Sequence, residues 1–464
     1  MTDAGRIAEL EEESAKLRGR VAEQAREITA LRDELVRLRK EIEEWRRGHR
    51  ERSKRRSSRA EGTGARSGGR PGRRAGHEGA FRPVPKKIDR TVRHRMPKRC
   101  ECGGCVEPTG EHDSTIVEDI PPVQVTRTRH VTPVGRCTKC GRRVAKKLPG
   151  ATAGGGRVAQ VVVGPNAEAL MVSLRFEGKM TMPAICATVH TWFGLSISPG
   201  GLVQMFHRIG NRGAPSYDEI VAHIRQADVV GLDETGLHQD GLGGWAWLAR
   251  TDQASLFRIE LSRASWVAEQ MLGAGFVGVV CTDFYGVYTR CDDWTHAYCG
   301  AHVVREAKKI AEVSPTDQSV EFRDRLQAFY RNAREAQRTQ DPSAQRGIRI
   351  RLGQLIADSN LGLHADVARL QVRLDQRFYG VLTFLERPDV PADNNATERD
   401  IRALAQYRKV TGGTRSPQGS LTLARMMSIS QTLRKNDLPL RDWVVGVHDA
   451  HLQGRAPPSV FATS

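Results

Sequence analysis

"DVVGLDETGLHQDGLGGWAWLARTDQASLFRIEL", residues 228–261, sets three strand-like runs in quick succession. "DVVGLDE", "GWAWLAR" and "SLFRIEL" are joined by loops short enough for antiparallel pairing. A helical stretch, "RASWVAEQML", leads to a fourth apolar run, "FVGVVCTD", and "WTHAYC" supplies a fifth strand. On this reading Asp233 sits near the end of the first strand and Asp283 at the end of the fourth.

That order is the order of a ribonuclease-H-like α/β fold, a central mixed sheet on which acids from the first and fourth strands meet. The third acid of such a site usually comes from a later helix. Glu398, in "PADNNATERDIRALAQYRKVTGG" (391–413), is placed to be that acid. Phosphodiester chemistry needs carboxylates because two hard cations, ~3.5–4 Å apart, activate the nucleophile and stabilise the leaving oxygen. Mg²⁺ or Mn²⁺ takes oxygen ligands, so two ions per site are the expected cofactors. Glu398 and Arg402 are four apart on one helical face, and Arg399, Arg402 and Lys409 are available for flanking phosphates. Glu234 competes with Asp233, and Asp393 and Asp400 with Glu398. Asn395-x-x-Glu398 also has capping-box spacing, so Glu398 could merely start a helix.

The totals point to a polyanion as partner. The chain has 464 residues, enough for several folded units, and a formal net charge of +18. DNA is the expected partner rather than a membrane, because no run of about 18 apolar residues exists. The first residues are charged from position 3 onward and lack the apolar core of a signal peptide, so a cytoplasmic, nucleoid-associated protein is expected.

Five of the nine cysteines crowd between Cys100 and Cys140, a clustering that suggests metal ligation in a reducing compartment. Cys102-x₂-Cys105 and Cys137-x₂-Cys140 form two thiol knuckles suited to one structural Zn²⁺. Cys100 could replace a ligand of the first knuckle. "TRTRHVTPVGRC" reads as a strand entering the second.

Toward the N-terminus, positions 7, 14, 21, 28, 35 and 42 and positions 10, 17, 24, 31, 38 and 45 form an apolar seam broken by Ser14 and Gln24. A 3-4 alternation over six heptads predicts a coiled coil and a homo-oligomer. From Arg46 to Arg74 twelve Lys or Arg face only Glu51 and Glu61, a basic linker able to bind phosphates without sequence preference.

"MPAICATVHTWFG" and "SPGGLVQMFHRIG" read as two helices joined at Gly194, the second capped by Ser198 with Pro199 at its first position. In a basic protein such a pair suggests a helix-turn-helix. Val367, Leu370, Leu374, Phe378, Val381 and Leu385 stand at helical spacing before Pro388 and, with "EFRDRLQAFYRNAREAQ", predict an all-helical insertion.

The expected architecture is multidomain α+β: coiled coil 1–47, basic linker 48–82, zinc-binding β module 83–150, helix-turn-helix-like domain 151–222, catalytic domain 223–415 with a helical insertion near 303–390, and helical tail 416–464.

"GLDETGL", "TDFYGVY", "YCGAHVVREAKK" and "PADNNATERDIRALAQYRKVTGG" resemble, in order, blocks of the IS66-type transposases of bacterial insertion sequences. "GRPGRRAGHEG" is similar to that family's basic block, which places Arg70, Arg73 and Arg74 among the DNA-binding candidates. The resemblance implies a DDE transposase, with Asp233, Asp283 and Glu398 as metal ligands, acting on its own element's ends, with accessory proteins of that element as further expected partners. His302, in a block similar to the family's Cys-x-x-His, is carried over as a near-site candidate. The first knuckle departs from the family's pattern, its Gly pair following Cys-x-Cys.

Overall fold

The computed structural model describes residues 83–145 and 162–462, except Glu111, Pro122, His130, Thr132 and Asp292, together with Lys16, Glu23, Glu34 and Arg37. Those four helical positions apart, the expected coiled coil and the basic linker with Arg70, Arg73 and Arg74 lie outside the described residues. Two compact units divide between Thr128 and Arg129.

In the first unit the chain turns tightly at the cysteines. Gly103 N–H donates to Cys100 O and Cys100 N–H to Gly104 O, both at 2.9 Å, while Arg99 bridges Cys105. Gly103 has φ 87°, a conformation that favours glycine.

The second unit opens with a hairpin of β1 (Val134–Arg136) and β2 (Arg143–Ala145), whose loop carries Cys137 and Cys140. Among the described residues of "TRTRHVTPVGR", those in strand are Val134–Arg136. Four helices follow: α1 (Pro165–Phe176), α2 (Met182–Phe193), α3 (Pro199–Arg212) and α4 (Ala214–Arg225). Thr181 and Ser198 cap α2 and α3, and Gly194 ends α2 at φ 61°. The exposed positions of α3 are Pro199, Gly200, Gln204 and Asn211, while Leu202, Met205, Phe206 and Ile209 are buried.

Next come β3 (Val229–Gln239), β4 (Leu242–Arg250), β5 (Ser255–Glu260), α5 (Trp266–Leu272), β6 (Val279–Thr282) and β7 (Thr295–Tyr298). The sheet order is β5-β4-β3-β6-β7, with β3, β4 and β5 antiparallel and β6 and β7 parallel to β3. β3 runs five residues past Glu234, because Asp240 and Gly241 at φ 53° and 73° close a two-residue hairpin with β4. Asp233 is therefore mid-strand, not near a strand end.

The rest is helical: α6 (Gly300–Val313), α7 (Asp317–Thr339), α8 (Pro342–Ala357), α9 (Ala365–Gln376), α10 (Phe378–Glu386), α11 (Asn395–Thr411), α12 (Pro417–Lys435) and α13 (Leu440–Leu452). The apolar spacing over 367–385 suggests one helix, but the chain breaks at Arg377. There Arg377 Nη2 donates to Thr289 O at 3.1 Å, and the redirected α10 lies on β7, Thr383 Oγ1 donating to His296 O at 2.6 Å.

Strand alternation divides the interior. Val280 of β6 faces a core shared with Ile209, Trp247, Phe257 and Ile429, whereas Val279 and Cys281 face one shared with Phe322, Leu352 and Phe384. The first core joins α1–α4, the sheet, α11 and the last two helices; the second holds α6–α10 against β6 and β7. Each fully buried Phe or Leu contributes about 1.5–3 kcal/mol. Edge strand β5 is covered: Phe257 N–H donates to Ser428 Oγ at 2.8 Å and Ser255 N–H to Thr432 Oγ1 at 3.1 Å, satisfying donors an open edge would expose. Among the described residues no helix is long and apolar enough to cross a membrane.

Candidate active site at the parallel edge of β3

The parallel register pairs Gly231 of β3 with Cys281 of β6; Asp233 follows two residues on within β3, and Asp283 two residues on, just past the end of β6. Asp233 is half-buried, and its Oδ1 accepts the Glu234 N–H at 2.8 Å. Burial, with the negative charges of Glu234, Asp283 and Glu398, pushes the Asp233 carboxyl up to about 7. Asp283 begins a turn, its Oδ1 accepting Tyr285 N–H at 2.9 Å.

Glu234 points elsewhere. Its side chain is 5% exposed, Arg263 donates to Oε1 through Nε at 2.9 Å and Nη2 at 2.6 Å, and the Tyr288 hydroxyl donates to Oε2. Arg263 also lies over the rings of Trp245 (4.1 Å) and Tyr285 (3.8 Å). Thus Glu234 is committed to an ion pair, and Asp233 is the acid left on the Asp283 side. Burial and the Glu234 charge raise the Tyr288 hydroxyl well above its ordinary range, so it stays a donor.

The acids of 391–413 have three different tasks. Asp393 starts the helix, its Oδ1 accepting Asn395 N–H at 3.1 Å, and pairs with Arg334 of α7 at 2.8 Å. Asp400 is buried against the far side, paired with Lys435 at 2.6 Å and Arg250 at 3.3 Å and accepting from Ser255 Oγ at 3.0 Å. Burial lowers Lys435 to about 8, partly offset by the Asp400 charge. Glu398 is the acid that Asp233 feels. The cap residue is Asn394, with no side-chain cap, so the capping-box role for Glu398 does not hold. Asn394 instead donates from Nδ2 to Leu232 O at 3.0 Å and accepts from Thr397 Oγ1.

Both Glu398 oxygens face basic side chains: Oε1 stands 3.0 Å from Arg305 Nη2 and 3.5 Å from His302 Nε2, and Oε2 stands 3.9 Å from Arg402 Nη2. His302 is therefore beside the candidate acid. Among the described residues no three His, Cys, Asp or Glu stand in metal-holding geometry. Arg399, Arg402 and Lys409 are exposed on α11. Arg408, by contrast, is bound to β3, donating to Gly236 O and, at 3.3 Å, to Thr235 Oγ1. Arg263, Arg305, Asn394 and Arg408 escape sequence reasoning: only the block "YCGAHVVREAKK" hinted at Arg305, and nothing local marks Arg263.

At the knuckles, backbone and side-chain hydrogen bonding from Cys102 lowers the Cys100 thiol, and backbone N–H groups of Cys140 and Lys139 lower that of Cys137. All five cysteines there are reduced.

Fold and site together define a mixed α/β protein whose sheet brings two acids to neighbouring strands beside a third from a following helix. The model of the transposase IS66 family matches residues 160–421, and the chain belongs to that family. Uncharacterized protein y4jO of Sinorhizobium fredii (strain NBRC 101917 / NGR234) is 31% identical over 142 residues, 30% of this chain and 44% of that relative, so the chain matches less than half of its length. Uncharacterized protein y4jD of the same strain is 23% identical over 416 residues, 80% of this chain and 78% of that one.

Proposed function

We propose that the protein is the transposase of an insertion element, binding the element's ends, cleaving there to free 3′-hydroxyls, and joining them to target DNA. Asp233, Asp283 and Glu398 are its catalytic acids, on a ribonuclease-H-like sheet. The observation that carries this reading is the parallel register that sets Asp233 and Asp283 beside each other, on β3 and just past β6, with Glu398 of α11 near enough to add, after burial and the Glu234 charge, to what raises the Asp233 carboxyl. Family membership and the net charge of +18 support DNA as substrate.

By its chemistry rather than its present geometry, the donor set suits a hard divalent cation: carboxylate oxygens whose mutual repulsion a cation relieves. Two Mg²⁺ or Mn²⁺ ions, when bound, supply nucleophile activation and neutralise charge on the leaving oxygen. Asp233, Asp283 and Glu398 would hold them, Glu398 giving up Arg305 and His302 to do so. Arg399, Arg402 and Lys409 hold phosphates beside the reacting one. Glu234, fixed by Arg263 and Tyr288, keeps β3 in place beneath Asp233.

The knuckle thiols, some already biased toward thiolate, are the donors we assign to a structural Zn²⁺: Cys102, Cys105, Cys137 and Cys140, with Cys100 as alternative. The heptads of residues 1–47 support self-association, and the activity requires the cytoplasm, where the element's DNA lies at the nucleoid. Helices α2 and α3, the helix-turn-helix-like pair, and the basic linker are assigned to element DNA, with accessory proteins of the element as further partners.

The test is an assay of labelled element ends with Mg²⁺, comparing wild type with Asp283→Ala. Cleavage and joining by wild type alone support the proposal. Binding without cleavage would make the protein a non-catalytic regulator, and cleavage without joining a nuclease.

A further inference from the structure

Helix α6 leaves the sheet directly after β7 and passes beside Glu398. Its inner face is Val303, Ala307 and Ala311, all buried; its outer face carries Arg305, Lys308 and Lys309, all exposed. His302, Arg305 and Lys309 fall on one stripe at helical spacing, with Lys308 beside it. Most other insertion cations of this region are engaged within the fold: Arg325 with Asp358, Arg349 with Glu386, Arg334 with Asp393. Glu306, on the same helix, is neutralised by Arg373 of α9, and Arg305 is paired with Glu398. Lys308 and Lys309 have no ion pair among the described residues.

A second stripe runs from the same acid. On α11, Arg402 and Lys409 lie on the Glu398 face, with Arg399 at its flank. Two cationic helix faces thus meet at Glu398, one from the sheet's own helix and one from the insertion. Arg305 and Lys309 are separated by about 6 Å of helix rise, close to two phosphate steps of ~3.4 Å along one strand.

We propose that the outer face of α6, Arg305, Lys308 and Lys309, is a second DNA-backbone surface, taking the phosphates on the side of the reacting bond opposite to those held by α11. The inference rests on the reading of Asp233, Asp283 and Glu398 as a DNA strand-transfer centre, and it gives the insertion a share in substrate binding. As contacts to phosphate rather than to base edges, those of Lys308 and Lys309 would be independent of sequence and fall with salt.

The test uses the full chain, Lys308→Ala/Lys309→Ala, with Arg346→Ala/Arg351→Ala, two exposed cations of α8, as control. Binding of a labelled element-end duplex is measured across a salt series, and cleavage with Mg²⁺ is followed in parallel. The plot of log affinity against log salt should become shallower by ~2 for the α6 variant, about 0.9 per lost phosphate contact, and remain unchanged for the control. An unchanged slope in the α6 variant, while wild type binds and cleaves, overturns this proposal and leaves the catalytic reading standing. Equal losses in both variants likewise overturn it, since net charge alone would then be the cause. A wild type that neither binds nor cleaves removes the catalytic reading and this proposal together.

Discussion

Arg305 Nη2 stands 3.0 Å from Glu398 Oε1, joining α6 to α11 across 93 residues of sequence. The arginine is 57% exposed and the glutamate 19%, so this is a surface-side pair whose breakage costs little stability. Arg305→Ala should change the melting transition by less than about 1 kcal/mol. It should instead leave Glu398 freer for a cation, tightening Mn²⁺ binding in the absence of DNA by about tenfold, or ~1.4 kcal/mol. Titration followed by electron paramagnetic resonance reads this directly, and weaker Mn²⁺ binding would show that Arg305 helps to assemble the site.

Glu398→Gln keeps the shape and a hydrogen bond to Arg305 but removes the charge. Cleavage of element ends should fall by at least about a hundredfold, ~2.7 kcal/mol in barrier, while duplex binding persists. A variant that cleaves normally would return Glu398 to a structural role.

Asp400 sits two residues on and behaves oppositely. Asp400→Asn leaves Lys435 and Arg250 without their buried partner, which should cost about 3 kcal/mol. The signature is a lowered melting temperature, with the activity of the protein that remains folded retained. Full stability with lost cleavage would move the third acid from Glu398 to Asp400.

Asp233 predicts a pH dependence. Its carboxyl, ordinarily near 3.8, is raised to about 7, so the folded state holds a proton that the unfolded chain releases. The stability this confers is complete below about pH 4 and is lost as pH rises toward 7. Asp233→Asn should remove that fall and be more stable than wild type at pH 8, by no more than about 4 kcal/mol, while losing cleavage. Calorimetry of both proteins from pH 5 to 8 decides it; parallel curves would mean Asp233 is ionised throughout.

Freshly purified protein should contain ~1 equivalent of zinc and lose it in Cys137→Ser. Retention after Cys105→Ser, with loss after Cys100→Ser, would give the first knuckle's place to Cys100. Less than half an equivalent in wild type would remove the zinc assignment.

What the sequence made legible is what local physics controls. Alternating apolar runs marked all five strands, and Ser198, Pro199 and Gly194 marked the ends of α2 and α3. Strand order alone accounts for Asp233 and Asp283 lying on neighbouring parts of the sheet, whereas Glu398 comes from helix α11. The unseen parts depend on distant partners. Nothing near Arg377 announces that a helix breaks there to reach Thr289, nor does Ser428, mid-helix, announce that it covers the edge of β5. Glu234 and Asp233 are neighbours of equal charge, and only Arg263 and Tyr288, far along the chain, tell them apart.

The attachment of α11 to β3 has a consequence for how such a chain can diverge. Asn394 holds Leu232 O, Arg408 holds Gly236 O, and Thr414 N–H holds His238 O at 2.9 Å, so three successive inward anchor points on the strand are main-chain carbonyls. A carbonyl survives any replacement of the side chain beside it. Mutational drift along β3 can therefore rewrite the exposed His238 without removing its anchor, whereas Leu232, buried in the first core, is held by packing as well. On the helix the tolerance is far lower: Asn394 and Arg408 must supply particular donors, and a Cβ at Gly413 would lie 2.2 Å from His238 O. The burden of supplying particular donors falls on the helix side, and relatives should vary at exposed strand positions such as His238 while holding these three helix-side positions.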